Sequence, residues 1–338
     1  MVMHRLKQRK PAALLLIFLL LLSACGSGGE SAPDDTFTIN IAYGNQPGEP
    51  IDQVARKWKE LAEAQSGGQL RLNLYPSSQL GSEADVIEQA LFGSNVIILT
   101  GFDFLMRFIP DFGVLTAPYI VDDVDDLFYL TTTDWFKGLE NELRDEGFEF
   151  VSTKTFYGER HLMTTKPVKS PEDLKGMKIR VPNNQMSINT FKALGASPTP
   201  LPLSDLYASL QQGIVDGAEN PLPVLSGSKT QEVAKYLALT GHTKIVSPWV
   251  AGTKFTEKLP DHLLDILRST ADEAGQFGRE IVRQEEEKVL EQFEAQGITI
   301  TEVDLGPFKE KGRDIFSRVP QWSPDLEQTI RTLLENKP

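Results

Sequence analysis

Three polar residues stand beside turns in an arrangement that suits the capture of an anion. "YGERHLMT" (157–164) carries Arg160 in a strand-like run after a glycine, and "KIRVP" (178–182) carries Arg180 at the end of a strand that Pro182 stops. "VDGAENP" (215–221) carries Asn220 directly before a proline, which keeps its backbone extended. In open α/β sheets ligands dock at strand ends. A guanidinium is suited to a carboxylate because its planar fork makes two parallel, charge-assisted hydrogen bonds. Taken singly each arginine reads as a surface charge; taken together the three residues outline a site for an acid.

A catalytic constellation is hard to assemble from the same chain. His4 falls in an N-terminal leader, and His161, His242 and His262 are scattered, without HExxH or other metal-ligand spacing. There is no phosphate-binding glycine loop, no GxGxxG and no GxSxG elbow. The acidic pairs Asp122-Asp123 and Asp125-Asp126 read as helix N-terminal charges in solvated loop. A binding protein is therefore expected, with no cofactor and no metal; an extracytoplasmic lyase or hydrolase acting on acids is the alternative from another class.

The elements that must position the three residues follow a β-α rhythm. "FTINIAYG" (37–44) alternates as a strand, and "EPIDQVARKWKELAEAQSGG" opens with Pro50 in a first helical turn and ends at Gly67-Gly68. "QLRLNLYP" (69–76) is a second strand, "SEADVIEQALFG" (82–93) a helix with Ser82 as N-cap, and "NVIILT" (95–100) a buried strand. This β-α-β-α-β order implies a parallel sheet covered by helices. The rhythm returns later: strands at 148–156, 178–181, 214–220 and 244–255, a helix at 183–195 closed by Gly195, and a helix at 203–213 capped by Ser204. From Asp261 to Gln296 no proline interrupts the chain. As one helix this run is ~54 Å long, more than the width of either half; a break near Gly275 or Gly278 is the alternative.

The N-terminus reads as a leader. Arg5, Lys7, Arg9 and Lys10 precede an unbroken apolar run from Ala12 to Leu22, too short to span a bilayer, and "LSAC" follows with Cys25, the only cysteine. This layout resembles a bacterial lipobox, with a signal peptide over 1–24, lipid on Cys25 and a flexible tether over 25–36; a signal peptide followed by an incidental cysteine is the alternative. The remaining chain carries 30 basic and 47 acidic residues, a net charge near −17, which repels nucleic acid and anionic membrane. So acidic a surface needs a local, preorganised positive site to hold an acid.

"GERHLMTTKPVKSPEDLKGMKIRVPNN", "LGASPTPLPLSDLYASLQQGIVDGAENP", "EVAKYLALTGH" and, upstream, "YPSSQLGSEADVIEQALFG" are similar to the solute-binding subunits of tripartite ATP-independent periplasmic (TRAP) transporters. The resemblance runs from about Phe37 to the C-terminus and is densest between Gly158 and His242. It implies an α/β clamshell of two lobes, each a mostly parallel sheet flanked by helices, with a long helix spanning both. The lobes would comprise 37–156 plus about 246–280, and 157–245 plus about 281–338. It also implies capture of an organic acid outside the cytoplasmic membrane and its delivery to a sodium-coupled permease by a monomeric protein. An ABC-type binding protein shares the clamshell but not these motifs.

The resemblance assigns roles residue by residue. Arg180 matches the arginine that forms the bidentate salt bridge to the ligand carboxylate, Arg160 the second ligand arginine, and Asn220 the asparagine of the "ENP" segment. Glu83 matches an acid of sialic-acid-binding members, whereas Gly101 stands where those members place a second acid, which argues against a sialate. Leu203 matches a pocket wall. Trp249 is a stacking wall or a core residue. Asn45, Glu49 and Asp103 lie near pocket loops, and Glu49 equally suits a helix N-terminus. The sequence does not name the acid: sugar acids, C4-dicarboxylates, 2-oxo acids and aromatic acids all need one anchored carboxylate. Two arginines permit a dicarboxylate, while the absence of a third basic residue among these candidates favours a monocarboxylate bearing hydroxyl or oxo groups.

Overall fold

The computed structural model describes residues 36–338; Cys25, the leader and nearly all of the tether lie outside the described residues. The expected mixed α/β fold is the one observed. Among the described residues nine strands form one sheet: β1 Phe37–Ala42, β2 Leu70–Tyr75, β3 Val96–Leu99, β4 Phe148–Thr164, β5 Lys178–Val181, β6 Ser197–Pro200, β7 Gly217–Pro221, β8 Tyr236–Gly252 and β9 Thr299–Glu302. Their order is β2-β1-β3-β8-β4-β7-β5-β6, with β9 on β8. β2, β1 and β3 run parallel, as do β7, β5 and β6. Between these groups lie β4 and β8, each 17 residues long, antiparallel to each other and to their outer neighbours β7 and β3.

The sequence reading divided what the structure joins. It ended a strand at 156 and began another at 244, but β4 continues to Thr164 and β8 starts at Tyr236. The β4–β8 register shifts four times, once between Phe156 and Gly158. Gly158 has φ +129, and a Cβ there would lie 2.7 Å from Cβ of Pro221. Glycine at this bulge lets the strand bend without ending.

Helix α1 (Pro50–Gln65) packs Val54, Ala55, Trp58 and Ala62 into a core shared with Trp249 and with the inner face of the long helix Asp261–Ala295. Helix α2 (Glu83–Leu91) starts on the expected cap: Ser82 accepts from the amide of Asp85, and the Asp85 carboxylate accepts from the amide of Ser82. Ser204 does not cap a helix. The segment 203–205 is a 3-10 turn, and the helix begins at Leu206.

The long helix is continuous across 35 residues. Leu263, Leu267, Ala271, Ala274, Gly278, Val282, Val289 and Phe293 recur every three, four or seven residues along one buried stripe. The two glycines that offered a break instead permit close approach. A Cβ on Gly275 would sit 2.8 Å from the Lys154 carbonyl oxygen of β4, and one on Gly278 would sit 2.4 Å from Cγ2 of Val54 on α1. The indole N–H of Trp58 also donates to the Leu267 carbonyl at 3.0 Å.

Two glycine substitutions therefore have opposite expected signs. Gly138, exposed in the helix Asp134–Asp145 with open space around its Cβ position, should gain up to ~1 kcal/mol as alanine from helix propensity. Gly275→Ala should lose net stability, because pressing a methyl onto backbone costs about 1–3 kcal/mol and outweighs the same gain. Urea unfolding midpoints of the two variants check this; a stabilised Gly275→Ala would show that the helix contact is slack.

Candidate functional site

The two groups of parallel strands present their C-terminal ends to a common cleft of about 1030 Å³, part of it open to solvent. One wall is built from the residues after β1 (Tyr43 to Asn45), the end of β3 (Ile98 to Gly101) and the first turns of α2 and α3 (Phe102–Leu105). The other comes from the ends of β5, β6 and β7 with Arg180, Leu203 and Asn220. Tyr157 and Arg160 of β4 and Ile245 and Ser247 of β8 line it between these walls. Of the expected site residues, Arg180, Arg160, Asn220, Glu83, Leu203, Asn45 and Asp103 all line this cleft.

Arg180 sits at the third residue of β5, its backbone paired with Thr199 of β6 on one side and Ala218 of β7 on the other. Only 3% of it is exposed. Nε and Nη2 donate to the Leu201 carbonyl at 3.0 and 2.7 Å, and among the described residues no carboxylate forms an ion pair with it. Burial lowers its pKa to about 10, with Arg160 acting in the same sense and Glu219 opposing. It remains a cation at neutral pH. A buried guanidinium that lines a cleft without a counterion is a site for an anion.

Arg160 is placed differently. Its Nε donates to Oε2 of Glu219, and Nη2 donates to Oε1 at 2.7 Å and to the Glu219 carbonyl at 3.1 Å. Arg160 opposes Pro221 in the β4–β7 ladder, so Glu219 is its diagonal neighbour on the same face. Burial works against the Arg160 charge, but Glu219 more than offsets it and raises the pKa. Burial likewise opposes the Glu219 charge, yet Arg160 and hydrogen bonds from Arg160 and His242 hold the carboxyl down at about 2. His242 Nε2 lies 3.3 Å from Oε2 of Glu219 and its Nδ1 lies 2.9 Å from the Thr240 hydroxyl, so the ring is held at both nitrogens. Arg160 thus enters the cleft already neutralised. The sequence reading missed Glu219 and His242; the diagonal register that joins Glu219 to Arg160 is the signal, and it is visible only once β4 and β7 are paired.

Asn220 is 2% exposed, and its Nδ2 has no hydrogen-bond partner among the described residues. A buried amide donor costs free energy unless something accepts from it. Glu83, at the first turn of α2, accepts at Oε1 from the Thr100 hydroxyl at 2.5 Å and the Gly101 amide at 3.0 Å. Burial, with Asp103 nearby, raises its pKa to about 7. Asp103 accepts at Oδ2 from Asn184 at 2.7 Å, tying α3 to the cap of the helix Gln185–Ala193, and burial raises its pKa. A Cβ on Gly101 would fall 1.9 Å from Oδ1 of Asp103. The space beside residue 101 therefore already contains a carboxylate, and the argument against a sialate from Gly101 loses its force.

Two expected residues stand outside the cleft lining. Trp249 is fully buried between Trp58 and Tyr43, with its indole N–H donating to Thr155 at 3.1 Å, so a ligand cannot stack on it in this form. Glu49 is the residue before α1 and lies behind Asn45, whose amide donates to its Oε2 at 2.7 Å; Oε1 is buried without a partner. Tyr157, half-buried in the cleft wall and kept protonated by burial, was missed because a tyrosine in a strand carries no pattern of its own.

The sequence matches the family described as "Bacterial extracellular solute-binding protein, family 7" (DctP) over residues 41–320. It is 31% identical over 303 residues to the sialic acid-binding periplasmic protein SiaP of Vibrio cholerae, covering 89% of this chain and 92% of that protein. Among solved structures it is similar to a TRAP periplasmic solute binding protein of Actinobacillus succinogenes with bound L-galactonate. The TM-score is 0.88 at 42% identity, covering 89% of this chain and all of that one. A TRAP periplasmic solute binding protein of Ochrobacterium anthropi with bound L-fuconate gives a TM-score of 0.87 at 42% identity, covering 88% and 99%.

The buried Glu49 supplies a pH prediction. Burial raises its pKa to about 7 from the ordinary glutamate value of 4.5, so the folded state binds more protons than the unfolded state between these values. Its contribution to stability therefore falls as pH rises through that window. Glu49→Gln should stabilise the protein by up to ~3 kcal/mol at pH 8 and have little effect at pH 4.5. Denaturant unfolding of both proteins at the two pH values tests this; a pH-independent difference would rule it out.

Proposed function

Because the chain belongs to the bacterial extracellular solute-binding proteins of family 7, the solute-binding subunits of TRAP transporters, we propose that its cleft captures a sugar acid by the carboxylate and presents it to a membrane permease. The observation that carries this reading is Arg180, a buried cation without a counterion beside the unpartnered Nδ2 of Asn220. The carboxylate docks on the Arg180 guanidinium, and Asn220 donates to an oxygen of the ligand. Arg160, held by Glu219, adds directional donors more than net charge. Leu203 and Tyr157 supply the apolar walls against the carbon chain. The bound relatives at 42% identity hold L-galactonate and L-fuconate, both polyhydroxy monocarboxylates, which supports an acid of this kind.

The two lobes, 37–156 plus about 246–280 and 157–245 plus about 281–338, close on the ligand, with β4, β8 and the long helix as their shared frame. A ligand shifts such an equilibrium only by its differential affinity for the two forms, and an acid touching both walls has that difference. The protein binds and does not convert its ligand; it works outside the cytoplasmic membrane as a monomer, held there by lipid on Cys25. Among the described residues no helix is long and apolar enough to cross a membrane. Cys25→Ser should release the protein or leave an unprocessed precursor, and continued membrane retention without lipid would end that part of the reading.

Thermal-shift screening against sugar acids, followed by calorimetric titration, tests the site. Charge-assisted hydrogen bonds contribute ~1.5–3 kcal/mol each, so Arg180→Ala should weaken binding more than ~100-fold. Arg180→Lys should fall between, since it keeps the charge and loses the fork. Arg160→Ala should depend more on the ligand. A folded Arg180→Ala that binds within a few-fold of the parent would place the carboxylate elsewhere.

A further inference from the structure

The cleft holds more acid than its expected ligand needs. Four charged side chains line it: Arg180, Arg160, Glu83 and Asp103. Arg160 is neutralised by the bidentate Glu219 behind it, so among the described residues lining the cleft Arg180 is the one cation not already matched by a bonded carboxylate. Glu83 and Asp103 stand together at the starts of α2 and α3, each fastened in place. Oε1 of Glu83 is held by Thr100 and Gly101, and Oδ2 of Asp103 by Asn184 and, at 3.5 Å, by the Ser187 hydroxyl. Oδ1 of Asp103 accepts from the Phe104 amide at 3.1 Å. No protein donor among the described residues reaches Oε2 of Glu83, which leaves that oxygen able to accept from a ligand.

We propose that Glu83 and Asp103 form a charge filter, so that the site accepts a polyhydroxy acid with a single anionic end and rejects one with a carboxylate or phosphate at its other end. This rests on the reading of the cleft as a sugar-acid site. Once the first carboxylate is on Arg180, the far end of the ligand meets the two acids. A hydroxyl there donates to a fixed carboxylate, a favourable charge-assisted hydrogen bond. A second anion there is placed against like charge, with no remaining unmatched cation among the described residues to receive it. Two relatives at 28% and 27% identity are described with sn-glycerol-3-phosphate and diglycerolphosphate bound, so the fold itself does not exclude phosphate ligands and the discrimination must come from side chains.

Matched ligands isolate the effect: L-galactonate and galactarate share a carbon skeleton and hydroxyl configuration and differ only in the terminal CH₂OH or carboxylate. At pH 8, where Glu83 is ionised, calorimetry on the parent should give galactonate binding at least ~100-fold tighter than galactarate, the scale of a like-charge contact. In Glu83→Gln, Asp103→Asn and the double variant, galactarate should bind at least ~10-fold tighter than to the parent, while galactonate weakens or holds. Opposite responses to the two ligands cannot come from loss of folding. If the parent binds both acids equally, or if the variants lose both alike, the filter is wrong and the sugar-acid reading stands. If the parent binds neither acid nor any other in the screen, both readings fall together.

Discussion

A guanidinium taken out of water without a counterion is expensive, by several kcal/mol even after the surroundings relax. Arg180 meets only part of that cost through the Leu201 carbonyl. The rest of the structure is arranged around keeping it there. β5 is flanked on both sides, by β6 and β7, so its backbone cannot move to let the side chain reach solvent. The walls that bury the guanidinium would also strengthen its hold on an anion, since each charge-assisted hydrogen bond is stronger in a low dielectric. Under the proposed function, stability given up at this residue would be returned by a carboxylate docked on it.

Arg160 shows the contrasting solution to the same problem. Its charge is cancelled by Glu219, and Glu219 is steadied by His242, whose other ring nitrogen is matched to Thr240. A network satisfied in this way is rigid, and it fixes the direction of the remaining donors without raising the net positive charge of the cleft. Arg160 on β4 and Arg180 on β5 are therefore not interchangeable, although their sequence settings look alike. The difference lies in which neighbour the sheet register supplies.

The frame that brings the walls together is carried by β4, β8 and the long helix. β4 and β8 lie between the two parallel groups, and the helix rests on both α1 and β4, with Gly275 and Gly278 allowing backbone and side chains to approach. Such long elements with local irregularities, at Gly158 above all, are stiff along their length and compliant at a few positions. That combination suits the lobe closure proposed above, because it keeps the residues on either side of the cleft aligned.

Much of this was readable from the sequence because it depends on local rules. The alternation of apolar residues, Pro50 at a helix start, the N-cap at Ser82 and the proline-free run from Asp261 each follow from local rules, and all appear in the fold. The motifs around Arg180, Arg160 and Asn220 also marked residues that meet in one cleft, since a strand end and a following turn constrain where a side chain can go. What no local rule could decide was pairing. Whether Arg160 would be matched or free, whether Trp249 would face ligand or core, and whether the acid beside residue 101 would come from that residue or from Asp103 all depend on contacts between segments far apart in the chain. Charge balance in a buried site is a sum over such contacts, so it was settled only when the sheet closed around it.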